Sequence, residues 1–130
     1  DPRSAPMSAA HVLLILTLLA DGQMSAAFVN TPSAEQCAAR GEAIGAVLRK
    51  GGANVQQMRC IPSALRFARF SHADAQTAPR HTYTLSYSDT TLELQPRADL
   101  ATCQALLEQA GALPAADTLC VTSTQTLDPS

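Results

Sequence analysis

Thr82-Tyr-Thr-Leu-Ser-Tyr-Ser-Asp-Thr-Thr-Leu-Glu-Leu94 alternates apolar and polar residues on both sides of a short polar interruption. Tyr83, Leu85 and Tyr87 alternate with Thr82, Thr84 and Ser86, the period of a half-buried strand. A two-residue turn at Asp89-Thr90 places Ser88 opposite Thr91, Tyr87 opposite Leu92 and Leu85 opposite Leu94. Those four apolar side chains then point to one side, and this agreement of register predicts a hairpin. The turn lacks the glycine that tight hairpins favour, which leaves room for a longer loop.

Downstream, Leu100, Cys103, Leu107 and Ala110 recur at helical spacing, so Asp99 to Ala110 reads as a helix with Gly111 as its stop. Thr118 to Thr122 reads as a strand, and Thr124 to Ser130 as a frayed polar tail. Upstream, Thr31-Pro32 opens a helix, with Ser33 and Gln36 as an alternative capping box. Ala34, Cys37, Gly41, Ile44 and Leu48 fall on one face of it. Gly41 and Gly45 weaken that helix and mark close packing on a sheet. Val55 to Ile61 reads as a strand with Met58 and Cys60 on one face, and Pro62 ends it or sets it at an edge. Between Ser63 and Arg80 the pattern is weakest: 65–70 fits a short helix or a strand, and 71–79 a loop.

Two stretches resemble each other. Ser33-Ala-Glu-Gln-Cys37 begins a helix, a Gly51-Gly52 stop and an extended segment ending at Cys60. Asp99-Leu-Ala-Thr-Cys103 begins a helix, a Gly111 stop and an extended segment ending at Cys120. If each unit is a helix packed on its following strand, each cysteine pair staples its own unit. The expected disulfides are Cys37–Cys60 and Cys103–Cys120, each contributing on the order of 3 kcal/mol by restricting the unfolded chain. There is no Cys-x-x-Cys, and no histidine stands at ligand spacing from a cysteine. The predicted architecture is α+β: two helices on one face of a small, mainly antiparallel sheet with two disulfides. A ferredoxin-like split βαβ topology is the preferred arrangement.

Val12 to Ala20 reads VLLILTLLA. Nine residues are too few for a membrane-spanning helix, which needs about 20. The length suits the core of a signal peptide, and Ser25-Ala26-Ala27 supplies small residues before a cut at Phe28. On this reading 1–27 is a signal peptide, 1–6 is upstream sequence ahead of Met7, and 28–123 is one stapled domain. Ala27 to Val29 then starts the mature chain as an edge strand, and 124–130 is a flexible tail. An uncleaved anchor or a buried core helix would explain the same apolar run. The even cysteine count fits a periplasmic or secreted location.

A chain of 130 residues with 46% hydrophobic residues is a single small globular domain and not a disordered one. A net charge of −2 offers no basic field for nucleic acid. There is no Gly-x-Ser-x-Gly elbow and no phosphate-binding glycine loop. His72, Asp74 and His81 are the candidates for a metal-dependent or hydrolytic site, though solvated loop histidines present the same pattern. Arg59, Arg66, Arg69 and Arg80 are the only concentration of charge. Arg66, Phe67, Arg69 and Phe70 form the candidate partner surface, with a core position for the phenylalanines as the alternative. The expected function is an exported, non-enzymatic module that binds an unidentified protein or envelope component, with no cofactor. The alternatives are a small enzyme built on the 72–81 loop, or a membrane-anchored subunit of an envelope complex.

Overall fold

The structure is a computed structural model that describes residues 10–68, 79–110 and 117–127. Eight elements follow one another: β1 (His11–Leu18), β2 (Met24–Thr31), α1 (Ala34–Lys50), β3 (Asn54–Pro62), β4 (His81–Tyr87), β5 (Leu92–Arg97), α2 (Leu100–Ala110) and β6 (Asp117–Ser123). The strands form one six-stranded sheet in the order β3-β1-β2-β6-β4-β5. The α+β class with two helices and two disulfides is as the sequence predicts; the split βαβ topology is not. The chain instead repeats a ββαβ unit. In each unit the first strand pairs antiparallel with both the second and the third. The units meet where β2 runs parallel to β6, through the single pair Ser25 and Thr122.

Register aligns the two units residue by residue. Leu13 faces Val29 and Cys60, as Thr84 faces Gln95 and Cys120. Ser33 caps α1 by accepting from the Gln36 N–H at 3.2 Å, and Asp99 caps α2 by accepting from the Thr102 N–H at 2.8 Å. That bond holds the Asp99 carboxyl below the usual aspartate range. Gly52, at φ +86°, turns the chain out of α1 with the left-handed backbone that glycine adopts without strain. The hairpin of β4 and β5 has the predicted register, Tyr87 opposite Leu92 and Leu85 opposite Leu94, closed by the Ser88 N–H donating to Thr91 O.

Both helices lie on one face. Cys37, Ile44 and Leu48 of α1 pack on Leu13, Ile15, Val29 and Met58. The opposite face carries Val12, Leu14, Leu16, Phe28, Ile61, Tyr83, Leu85, Tyr87, Leu92 and Val121, all buried in one cluster that draws on every strand. A flat sheet would leave this face open to water. In a flat sheet β3 and β4 would also stand about 19 Å apart, four strand spacings. Instead the Arg59 guanidinium of β3 lies 5.7 Å from the Tyr87 ring centroid and pairs with Asp89 in the β4–β5 turn. The sheet is therefore curled, with its helix-free face packed on itself.

β1 occupies the segment that reads in sequence as a leader core. Val12 to Leu16 are all at most 3% exposed, alternately filling the inner cluster and the floor beneath α1. A strand buried on both faces is a continuous apolar run, the same pattern as a leader core. A chain starting at Phe28 would lack β1 and half of β2. Ala27 to Val29 is an interior segment of β2 and not an edge; the edges are β3 and β5. Among the described residues no helix is long and apolar enough to cross a membrane. In this fold the 12–16 side chains are covered by protein.

The end of the chain is a second correction. Residues 124–127 are docked, with Gln125 2% exposed and Leu127 bridged to Phe67. Gly111 lies outside the described residues.

Leu14→Ala is expected to cost about 2–5 kcal/mol in urea unfolding, the range for a fully buried leucine. A cleavable leader would show no such loss. Because the Asp99 carboxyl is depressed in the folded state, its support of α2 is present at neutral pH. That support is lost as pH falls through the carboxylate range. Asp99→Asn keeps the cap, and the acid-dependent part of α2 helicity in circular dichroism should disappear.

Candidate functional site

The connection from β3 to β4 is pinned at both ends. After Pro62 the chain crosses to β2, where Asn30 holds it from both sides. Asn30 Nδ2 donates to Leu65 O at 2.7 Å, and the Phe67 N–H donates to Asn30 Oδ1 at 2.9 Å. The Phe67 ring stacks on Phe28 with centroids 4.2 Å apart. The Ala68 N–H donates to Thr126 O at 2.9 Å. Leu65 and Phe67 thus turn inward, and Arg66 between them is exposed.

Gln125 is the central clasp. Its Oε1 accepts from the Phe28 N–H at 2.9 Å, while its Nε2 donates to Phe28 O and to Ala68 O, both at 2.7 Å. The side-chain amide does for β2 what a neighbouring strand's peptide would do. That service is needed because β6 pairs with β2 at one position only. The Gln125 backbone carbonyl accepts from the Tyr83 hydroxyl at 3.1 Å, and burial pushes that phenol up from its ordinary pKa. One residue thereby ties together β2, β4 and the base of the connection.

Arg80 holds the far end of the same connection on the helix side of the seam. Its guanidinium donates to Ser25 Oγ at 2.7 Å, to Thr122 Oγ1 at 3.1 Å and to Thr122 O at 3.2 Å. Thr122 Oγ1 donates in turn to Gln23 Oε1 at 3.1 Å. Burial lowers the Arg80 pKa, and nearby Asp21 opposes that shift. So the one backbone pair between the units, Ser25 and Thr122, is also bridged by a side chain from the connection.

The helix floors differ between the units. Beneath α1 lie Leu13, Ile15 and Met58. An added Cβ on Gly45 would come within 3.2 Å of Met58 Sδ, and one on Gly41 within 3.4 Å of Leu13 Cδ1, so α1 approaches the sheet closely as its glycines predict. Beneath α2 the equivalent residues are Thr84, Ser86 and Thr118. Ser86 bonds Thr118 at 3.1 Å, and Arg97 Nε donates to Thr84 Oγ1 at 2.9 Å. The disulfides are Cys37–Cys60 and Cys103–Cys120, each with Cα atoms 6.0 Å apart, the pairing the repeat predicts.

Of the candidate partner surface, Arg66 is exposed as expected, whereas Phe67 is 9% exposed and belongs to the core. Its stacking on Phe28 explains why: a phenylalanine held against a flat apolar neighbour contributes burial that a surface position forfeits. Arg69, Phe70, His72 and Asp74 lie outside the described residues. His81 is half-buried at the start of β4. Among the described residues no three His, Cys, Asp or Glu side chains converge on one point. Sequence reasoning missed Asn30 and Gln125. Their only signal was a buried-type amide in otherwise polar surroundings, which carries no periodicity.

The chain matches no protein-family model, no curated protein and no solved structure. What the geometry defines is a class: a doubly stapled, tandem ββαβ domain with one long, pinned connection. Its two disulfides indicate an oxidising environment.

Gln125→Leu fills the same space but leaves the Phe28 N–H and two carbonyls without partners. Each orphaned group should cost about 1–3 kcal/mol. Hydrogen exchange should show early opening at Phe67 and Ala68, ahead of β1.

Proposed function

We propose that the chain is an exported, non-enzymatic binding module. On this reading it works in a periplasm or the extracellular medium and contacts a protein or envelope component through the connection that follows β3. The observation that carries this reading is the anchoring of that connection: Asn30 and Gln125 fix residues 65–68 at one end, and Arg80 fixes the other end to Ser25 and Thr122. Functional loops are commonly held in this way, on a rigid scaffold with fixed ends. Holding both ends reduces the ordering cost that a free loop pays on binding. The disulfides supply the rigidity and fit an oxidising destination. Residues 11–27 are part of the working protein on this reading, since β1 and β2 are built from them.

Arg66 is the contact residue to test, because it is the outward side chain of the anchored base. A photo-crosslinking residue at position 66 should capture one discrete species in an extract of the exported compartment. The same residue at exposed Val47, on the outer face of α1, should not. Arg66→Glu should abolish capture by a crosslinker at the neighbouring exposed Ala64 while leaving the circular dichroism unchanged. Equal capture at 47 and 66 would remove the basis for this surface.

A further inference from the structure

The two disulfides occupy equivalent places in the repeat but have different surroundings. Each joins the fourth residue of a helix to the third strand of its unit, with the same Cα separation of 6.0 Å. Cys37 and Cys103 are both 0% exposed, so neither helix sulfur can be reached directly. The difference lies at the strand cysteine. Cys120 is 6% exposed on β6, which sits between β2 and β4. Cys60 is only half-buried, on β3, an edge strand of the sheet.

The helix above each disulfide repeats the contrast. Gly41 follows Cys37 by one turn, lines the same groove as Cys60 and puts no side chain into it. Leu107 occupies the equivalent position after Cys103 and is half-buried. A shallow groove opens between α1 and β3 at this place, lined by Gly41, Glu42, Arg49, Arg59 and Cys60 among others. The Arg49 guanidinium lies over Gly45 beside Met58, and a cation there favours the approach of a thiolate and stabilises the negative sulfur that leaves.

We propose that Cys37–Cys60 is an exchangeable disulfide whose co-reactant is a dithiol, and that Cys103–Cys120 is structural. A thiolate of the dithiol attacks Cys60 Sγ. A mixed disulfide to Cys60 forms, the Cys37–Cys60 bond breaks, and Cys37 leaves as a thiolate that takes up a proton. The second thiol of the reagent then attacks its own sulfur in the mixed disulfide and releases Cys60, which is protonated in turn. The dithiol is oxidised to a disulfide, and its two protons end on Cys37 and Cys60.

The floors under the helices make this exchange reversible in one unit and not in the other. When Cys37–Cys60 opens, α1 remains packed through Ile44 and Leu48 on Leu13, Ile15 and Met58. When Cys103–Cys120 opens, α2 is left with half-buried Leu100 and Leu107 over a polar floor of Thr84, Ser86 and Thr118. Reduction therefore frees a thiol pair in the first unit while the fold persists.

The test is reduction of the native full chain with dithiothreitol, quenched at intervals with an alkylating reagent and mapped by peptide mass. Cys37 and Cys60 should be labelled at least about tenfold faster than Cys103 and Cys120, with far-UV circular dichroism unchanged during the first phase. In Gly41→Leu the first phase should slow towards the second. Labelling of all four cysteines at one rate, earlier labelling of Cys103 and Cys120, or loss of helicity in step with the first labelling would each overturn the proposal. So would a folded Gly41→Leu chain reduced as fast as the parent.

Discussion

The structure depends on how two ββαβ units are joined at a seam that has almost no backbone pairing. β2 and β6 share one pair, Ser25 and Thr122. An unpaired interior strand edge is costly, because each buried peptide group that loses water needs another partner. Gln125 supplies that partner for Phe28 on the inner face, and Arg80 bridges Ser25 and Thr122 on the helix face. Both clasps come from segments outside the strands. A seam closed by side chains can bend where a full ladder would resist, and the sheet is curled with its two halves in contact. That curl buries the helix-free face, places Arg59 against Tyr87, and leaves β3 and β5 as the edges.

Joining two similar units in this order makes them unequal. The third strand of the first unit becomes a sheet edge, and the third strand of the second becomes the seam. The same disulfide geometry is thereby half-open in one case and enclosed in the other. Composition follows the inequality. Leucine, isoleucine and methionine lie under α1, while threonine and serine lie under α2. The first helix rests on an apolar floor and the second on a polar one. The residues proposed for partner contact begin just after β3, the strand that also carries Cys60.

Features set by neighbours in sequence were legible without the structure. The β4–β5 register follows from period-two alternation across a short turn. Asp99 caps α2 as a capping-type residue at that position suggests, and Ser33, the alternative to a start at Pro32, is the cap of α1. The disulfide pairs follow from the likeness of the two helix–strand units, and Gly41 and Gly45 do mark a close approach. Of the candidate surface, Arg66 is exposed, and for Phe67 the sequence offered both a surface and a core position. The choice between core and surface for that ring depends on Phe28, thirty-nine residues away in sequence.

The sequence by itself determined the secondary elements of 33–62 and 81–123, their caps, the hairpin register and the two staples. All of these rest on contacts within a helix turn, across a short turn or within one repeat. Only the tertiary structure decided that Val12 to Leu16 is a central strand, that the chain end docks through Gln125, and which strands are edges. An apolar run has the same pattern whether it is headed for a membrane-like environment or is buried on both faces of a sheet, because in each case every side chain avoids water. Strand neighbours and amide clasps are settled by groups distant in the chain, which leave no periodic trace in the residues that receive them.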